Sequence, residues 1–272
     1  MENDLAKFSK EVSLYKSWLS KYGINNYEFV VSGDKLLVNV NGNVDLRLKG
    51  IENIGVQFGR VSGFFDCYEN NLVDLTGCPE YVGKSLFCSN NKLTSLEGCS
   101  AEIGKDFYCS DNKLSSLKGC AVIVGGNFNC NSNQLSSLEG GHKKVGNDYN
   151  CDRNRLKSLL GCVAELEGGL TCDNNLLVDM EGCPKSIGDG IFCHDNELTS
   201  LRGVPSVVIG EFNCFSNKLT DLDYFPELIV GRIDIGENLF EDEIVYELDF
   251  VGIRGYIESV RLQKKIGIRF SE

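Results

Sequence analysis

The sequence predicts a mainly β fold of the α/β repeat class: a solenoid of about nine 21-residue coils with a parallel sheet on its concave face, a helical N-terminal cap and a non-repeat C-terminal cap. Three observations predict it. Asparagine recurs at Asn70, Asn91, Asn112, Asn133, Asn154, Asn175, Asn196, Asn217 and Asn238, every 21 residues and without insertion. An aliphatic residue follows two positions later, from Leu72 to Leu219 with Phe240 closing the series, and another three further on, from Leu75 to Leu222. A cysteine stands three residues before each asparagine from Cys67 to Cys214, until Ile235 takes its place. A constant period means a coil of constant cross-section. One such coil cannot bury its own apolar face, so neighbours must stack.

Each unit opens on a short strand. In Phe107-Tyr108-Cys109 the apolar positions alternate, so Phe107 and Cys109 face inward and Tyr108 outward. The asparagine follows where the chain turns, and its amide can satisfy backbone groups that the turn leaves unpaired. Glycine in Leu96-Glu97-Gly98-Cys99 and its equivalents permits a tight second corner. All four prolines, Pro79, Pro184, Pro205 and Pro226, share one repeat position beyond it. There they stiffen an extended return limb too short for a full helix. A third aliphatic line, from Val61 through Ile103 and Val145 to Ile229, completes the inward set.

A strand followed by Asn-x-Leu resembles the leucine-rich-repeat family. The unit departs from the commonest form in carrying Cys where Leu or Val is usual. The 21-residue Cys-type unit, with return limbs such as Leu75-Thr76-Gly77-Cys78-Pro79, looks like repeats encoded by bacteria and tailed phages. The resemblance covers about residues 55–240. It implies the solenoid fold and is nearly silent about function, because repeat scaffolds serve many purposes.

The domain reading is a cap over residues 1–54, a solenoid over 55–240 and a second cap over 241–272. Residues 3–22 read as an amphipathic helix through Phe8, Val12, Tyr15, Trp18 and Leu19, stopped by Gly23. Trp18 reads as cap packing. Leu37 to Asn41 and Val44 to Leu48, around Gly42-Asn43, read as a hairpin or an atypical first coil. At the other end Ile244, Val245, Leu248, Phe250, Val251, Ile253, Tyr256 and Ile257 can seal the last coil. The tail carries Arg254, Arg261, Lys264, Lys265 and Arg269, read as a solvated cap face.

A net charge of −12 argues against general nucleic-acid binding and against docking on an anionic membrane. The sequence lacks a membrane-length apolar run and starts without a signal-like segment, so a cytoplasmic protein is expected. If phage-encoded, that is the host cytoplasm. In that compartment the 13 cysteines are expected as thiols. They fall into two stacked sets, with no Cys-x-x-Cys, and so read as small buried hydrophobes with no metal site. His142 and His194 occupy different repeat positions and form no catalytic pair. Neither a cofactor nor an enzymatic activity is expected.

Function should lie where the repeat does not dictate the residue. The outward strand positions supply Phe64, Asp66, Tyr68, Phe87, Asp106 and Tyr108 at one end, and Phe192, His194 and Phe215 at the other. Asn127, Asn129, Asn131, Asp148, Asn150, Asp152 and Arg153 lie between them. Aromatic residues among acids suit a protein-binding surface, and the acids suit a partner with a basic surface. The leading expectation is a monomeric, non-enzymatic protein-binding module that engages a host protein, a defence component among the candidates. A structural or assembly component of a particle is the second reading. An acidic mimic of nucleic acid is the third.

Overall fold

The computed structural model describes residues 7–241, 245, 248 and 250–266. The order of elements is helix α1 (Ser9–Lys21), an antiparallel pair β1 (Tyr27–Ser32) and β2 (Lys35–Val40), a run of coils, and helix α2 (Phe250–Ile266). Each coil carries a short strand on either side, two residues long except for Phe58–Val61. Ten of these strands, from Val44–Asp45 to Ile233–Asp234, pair in parallel as one continuous sheet. They keep the 21-residue register throughout: Phe87 lies against Tyr108 and Asn129 against Asn150. The solenoid expected from the repeat is therefore the architecture of the molecule.

The return limb holds more order than an extended linker. A second parallel ladder runs there from β2 through Phe58–Val61, Tyr81–Val82, Glu102–Ile103 and Ile123–Val124 to Lys144–Val145. It resumes as the pairs Glu165–Leu166 with Ser186–Ile187 and Val207–Val208 with Leu228–Ile229. The third aliphatic line forms the inward side of this ladder, with Val61, Val82, Ile103 and Val124 wholly buried.

The core is a continuous column between the two ladders. Phe65, Phe107, Phe128, Tyr149 and Phe212 fill it from the first sheet, and the cysteines and leucines fill the corners. All 13 cysteines are thiols. Burial pushes the Cys109, Cys130 and Cys172 thiols well above the usual range, and the partly exposed Cys99 and Cys162 up to about 12. A thiol held protonated in this way packs as a small apolar group.

The asparagine ladder binds the coils together. Asn133 Nδ2 donates to the carbonyls of Cys130, Asn131 and, one coil back, Cys109 at 3.0–3.1 Å. Its Oδ1 accepts the Leu114 N–H at 2.9 Å. The same set recurs along the ladder, as at Asn154 and Asn175. Before each asparagine stands a non-glycine residue at positive φ, such as Ser132 (52°) or Arg153 (49°). From Glu69 to Ser216 each is held there by its N–H donating to the next coil, as Ser132 does to the Asp152 carbonyl. At the second corner Gly161 has φ 93°, and a Cβ there would lie 2.4 Å from Glu139 N of the preceding coil.

Helix α1 covers the first coils. It ends at Lys21, followed by Gly23 at φ 71°, in accord with the stop read from the sequence. The Trp18 ring packs across Gly55 and lies 6.2 Å from the Phe58 ring, which makes it a cap residue. Of the two readings of Leu37 to Leu48, the atypical first coil holds, and the hairpin lies just before it. Its turn is Gly33-Asp34, and the strands pair from Ser32↔Lys35 to Tyr27↔Val40. Val44 to Leu46 form the atypical first coil: Val44 pairs with Phe65, and Val44 and Leu46 are wholly buried.

At the C-terminal end Val245, Ile253 and Ile257 are buried, and Leu248 and Tyr256 pack against the core. Val251, expected in the seal, is 75% exposed because it lies on the outer face of α2. Ile244 and Arg269, and the side chains of Phe250, Arg261, Lys264 and Lys265, lie outside the described residues. Arg254 is partly buried, which departs from a fully solvated basic face.

Candidate functional site

The outward side of the ten-stranded sheet presents three columns of side chains. The middle column is the second residue of each strand: Asp66, Phe87, Tyr108, Asn129, Asn150, Thr171, Phe192 and Asn213. Phe64 and Asp106 belong to the column before it. Tyr68, His194 and Phe215 belong to the column after it. The parallel register places equivalent residues ~4.8 Å apart, so each column is a contact ladder.

The N-terminal aromatic residues come together as one strip. The Phe87 and Tyr108 rings stack at 5.3 Å with an interplanar angle of 5°, and Phe64 meets Phe87 edge-on at 6.4 Å. All three are half-buried, since each ring covers part of its neighbour. Offset stacks of this kind contribute ~0.5–1.5 kcal/mol beyond their area.

The acids beside them are less free than their outward positions suggest. Asp66 is only 8% exposed. Burial pushes its carboxyl up, opposed by the Tyr68 N–H, which it accepts at 3.0 Å, and by Arg47 at 3.4 Å. Asp106 accepts the Ser85 hydroxyl at 3.1 Å and the Asn127 N–H at 3.0 Å. Asp66 thus orders the sheet edge more than it offers a free charge.

The second group does not form an equivalent strip. Phe192 and Phe215 stand in different columns. Phe192 leans along its own strand over Gly190, and Phe215 leans along the solenoid over Gly236 of the next coil, so the two rings turn in different directions. His194 is engaged between two carboxylates, with Nε2 3.1 Å from Asp173 Oδ2 and Nδ1 2.8 Å from Asp195 Oδ2. Burial pushes Asp173 up to about 6, with the His194 charge and N–H acting against the rise.

Between Tyr108 and Phe192 the face sinks into a hollow of about 340 Å³. Its floor is Asn129, Asn150 and Thr171, and Asp148 and Asp189 stand on one side. Gly169 helps line it and leaves that side low. The floor amides are fixed. Asn129 Oδ1 accepts the Asn131 N–H and Asn150 Oδ1 the Asp152 N–H, both at 3.0 Å. Each Nδ2 group is thereby left as the floor's hydrogen-bond donor.

A contact the sequence reading missed lies inside the molecule. His142 occupies the repeat position of the prolines and is 7% exposed. Its Nδ1 is 2.7 Å from the Ala121 carbonyl, its Nε2 3.4 Å from Cys120 Sγ, and its ring 4.0 Å from that of Phe128. Burial lowers its pKa to about 4 and raises that of Cys120. A neutral imidazole beside a protonated thiol fills space and does not make a nucleophile. Among the described residues no group of three or more His, Cys, Asp or Glu could hold a metal ion, and no helix is long and apolar enough to cross a membrane.

No family model and no curated protein matches the chain. Among solved structures it is similar to YopM, a leucine-rich effector protein from Yersinia pestis, at 20% identity and a TM-score of 0.48. The match covers 73% of this chain and 61% of that one, so the chain spans less than two thirds of its relative's length.

Proposed function

We propose that the chain is a non-enzymatic protein-binding module that engages its partner through the outer side of the ten-stranded sheet. The observation that carries this is the strip Phe64, Phe87 and Tyr108. The sealed core lies on the other side of that sheet, so the rings serve no further burial within the chain. Rigid, half-exposed aromatic residues anchor interfaces at low entropic cost. The partner is a host protein, in keeping with the resemblance of the repeats to those of bacteria and phages. A reducing, aqueous compartment suits 13 unpaired thiols.

The test is capture of the partner by the tagged chain, followed by titration of folded variants. Phe87→Ala with Tyr108→Ala should weaken binding by ~2 kcal/mol or more, the usual effect of truncating a central anchor. Lys92→Ala with Lys113→Ala, at exposed positions where the chain leaves the sheet, should leave it nearly intact. Unchanged binding by the aromatic variant would remove the proposal.

A further inference from the structure

The hollow between Tyr108 and Phe192 differs in kind from the aromatic strip, and its chemistry selects a partner group. We infer that it seats an arginine side chain of the partner protein, with the adjoining peptide carbonyls received by the floor amides. This deepens the protein-binding reading and rests on it.

Charge comes first. The lining residues include two carboxylates, Asp148 and Asp189, and no cation. Across the three outward columns and the turn beside them, Arg47, Arg153, Arg155 and Arg232 bring guanidinium groups, and none lines the hollow. Asp148 uses one oxygen, Oδ1, to accept the Gly169 N–H at 2.8 Å, which fixes the carboxylate in place. The site therefore offers pre-oriented acceptors to a group rich in donors. Guanidinium presents five N–H donors and no acceptor.

Shape comes second. Phe192 lies down over Gly190, with its Cε2 3.0 Å from where a Cβ would stand. Gly169 removes a side chain from the same column. The ring therefore forms a wall of the hollow. A planar cation can stack on such a ring, which a compact ammonium does less well. Polarity comes third. The Nδ2 groups of Asn129 and Asn150 are donors held at strand spacing, so they cannot serve a guanidinium. They suit carbonyl oxygens of the peptide that carries it, and a polypeptide supplies both.

The test uses a defined probe, the blocked peptide acetyl-Ser-Gly-Arg-Gly-Ser-amide, and its neutral citrulline counterpart. Binding is followed by NMR through the side-chain amide signals of Asn129 and Asn150. The arginine peptide should shift both signals saturably, and the citrulline peptide should bind at least tenfold more weakly. Asp148→Asn with Asp189→Asn keeps the amide-like acceptor for Gly169 and should also weaken binding at least tenfold. Glu102→Gln with Glu165→Gln removes the same charge from the return ladder and should change binding less than twofold. Equal binding of the citrulline peptide overturns the inference. So does an equal loss in the return-ladder variant, which would make the attraction diffuse. If the captured partner still binds the Asp148/Asp189 variant at full strength while losing the Phe87/Tyr108 variant, this inference fails and the protein-binding reading stands.

Discussion

At the residue scale, the asparagine ladder and the buried histidine decide most. Asn133→Ala removes an amide that makes four hydrogen bonds across two coils and leaves buried backbone groups without partners. It should cost ~1–3 kcal/mol in a denaturant titration. Asn129→Ala loses one local bond at a half-exposed site and should stay within about 0.5 kcal/mol. Equal losses would mean that the inward and outward assignments are confused. His142 makes stability depend on pH. Its folded pKa of about 4 lies below the ordinary value near 6.5, so the unfolded chain takes up the proton first as pH falls. Stability is therefore intact above about 6.5 and is lost as pH drops through that window towards 4, by roughly 3 kcal/mol in all. Asp173 acts in the opposite sense: its raised folded pKa favours the folded state as pH falls from 6. The measurement is thus the difference between the parent and His142→Val, in which the melting temperatures should diverge on acidification. Parallel curves would show the imidazole to be solvated.

At the scale of the element, corners and ladders separate what the sequence discloses from what it hides. Gly161→Ala should destabilise by roughly 3 kcal/mol or more, because positive φ and a clash with the preceding coil add together. Gly33→Ala, in the β1–β2 turn with open space around it, should cost only ~1–2 kcal/mol of backbone strain. Thermal melts of the two variants check the contrast. The first-sheet strands were legible because Phe-Tyr-Cys alternation stands beside a fixed asparagine. The return ladder was legible only as a line of buried aliphatic residues. Beyond Phe58–Val61 its strands are two residues long, and their outward members, such as Glu102, Lys144 and Ser186, carry no strand signal. Strand β1 was missed, and the choice between hairpin and first coil left open, for a related reason. Gly42-Asn43 is a good turn dipeptide, while Phe29, Val30 and Val31 blur the alternation that would have marked β1. The Cys120–His142 contact spans 22 residues, and its only signal was a histidine standing at a proline position.

At the scale of the whole molecule, the strict period made the solenoid legible, since residues 21 apart must be neighbours. The same rule brought Phe64, Phe87 and Tyr108 together correctly. It could not show that Phe192 and Phe215 turn apart, because that depends on which column each occupies and on the glycines beneath them. It also could not show that Asp66 is largely covered. Acids remain the majority charge on this face. Raising salt should therefore slow association with a basic partner more than it speeds release, as stopped-flow binding at two ionic strengths would report. The central claim is that the outer side of the ten-stranded sheet is the contact surface. Hydroxyl-radical footprinting of the complex with the captured partner tests it most directly. Phe64, Phe87 and Tyr108 should lose most of their oxidation on binding, while Tyr224, 59% exposed and away from that face, should not change. Protection of Tyr224 with undiminished oxidation of Phe87 and Tyr108 would contradict it.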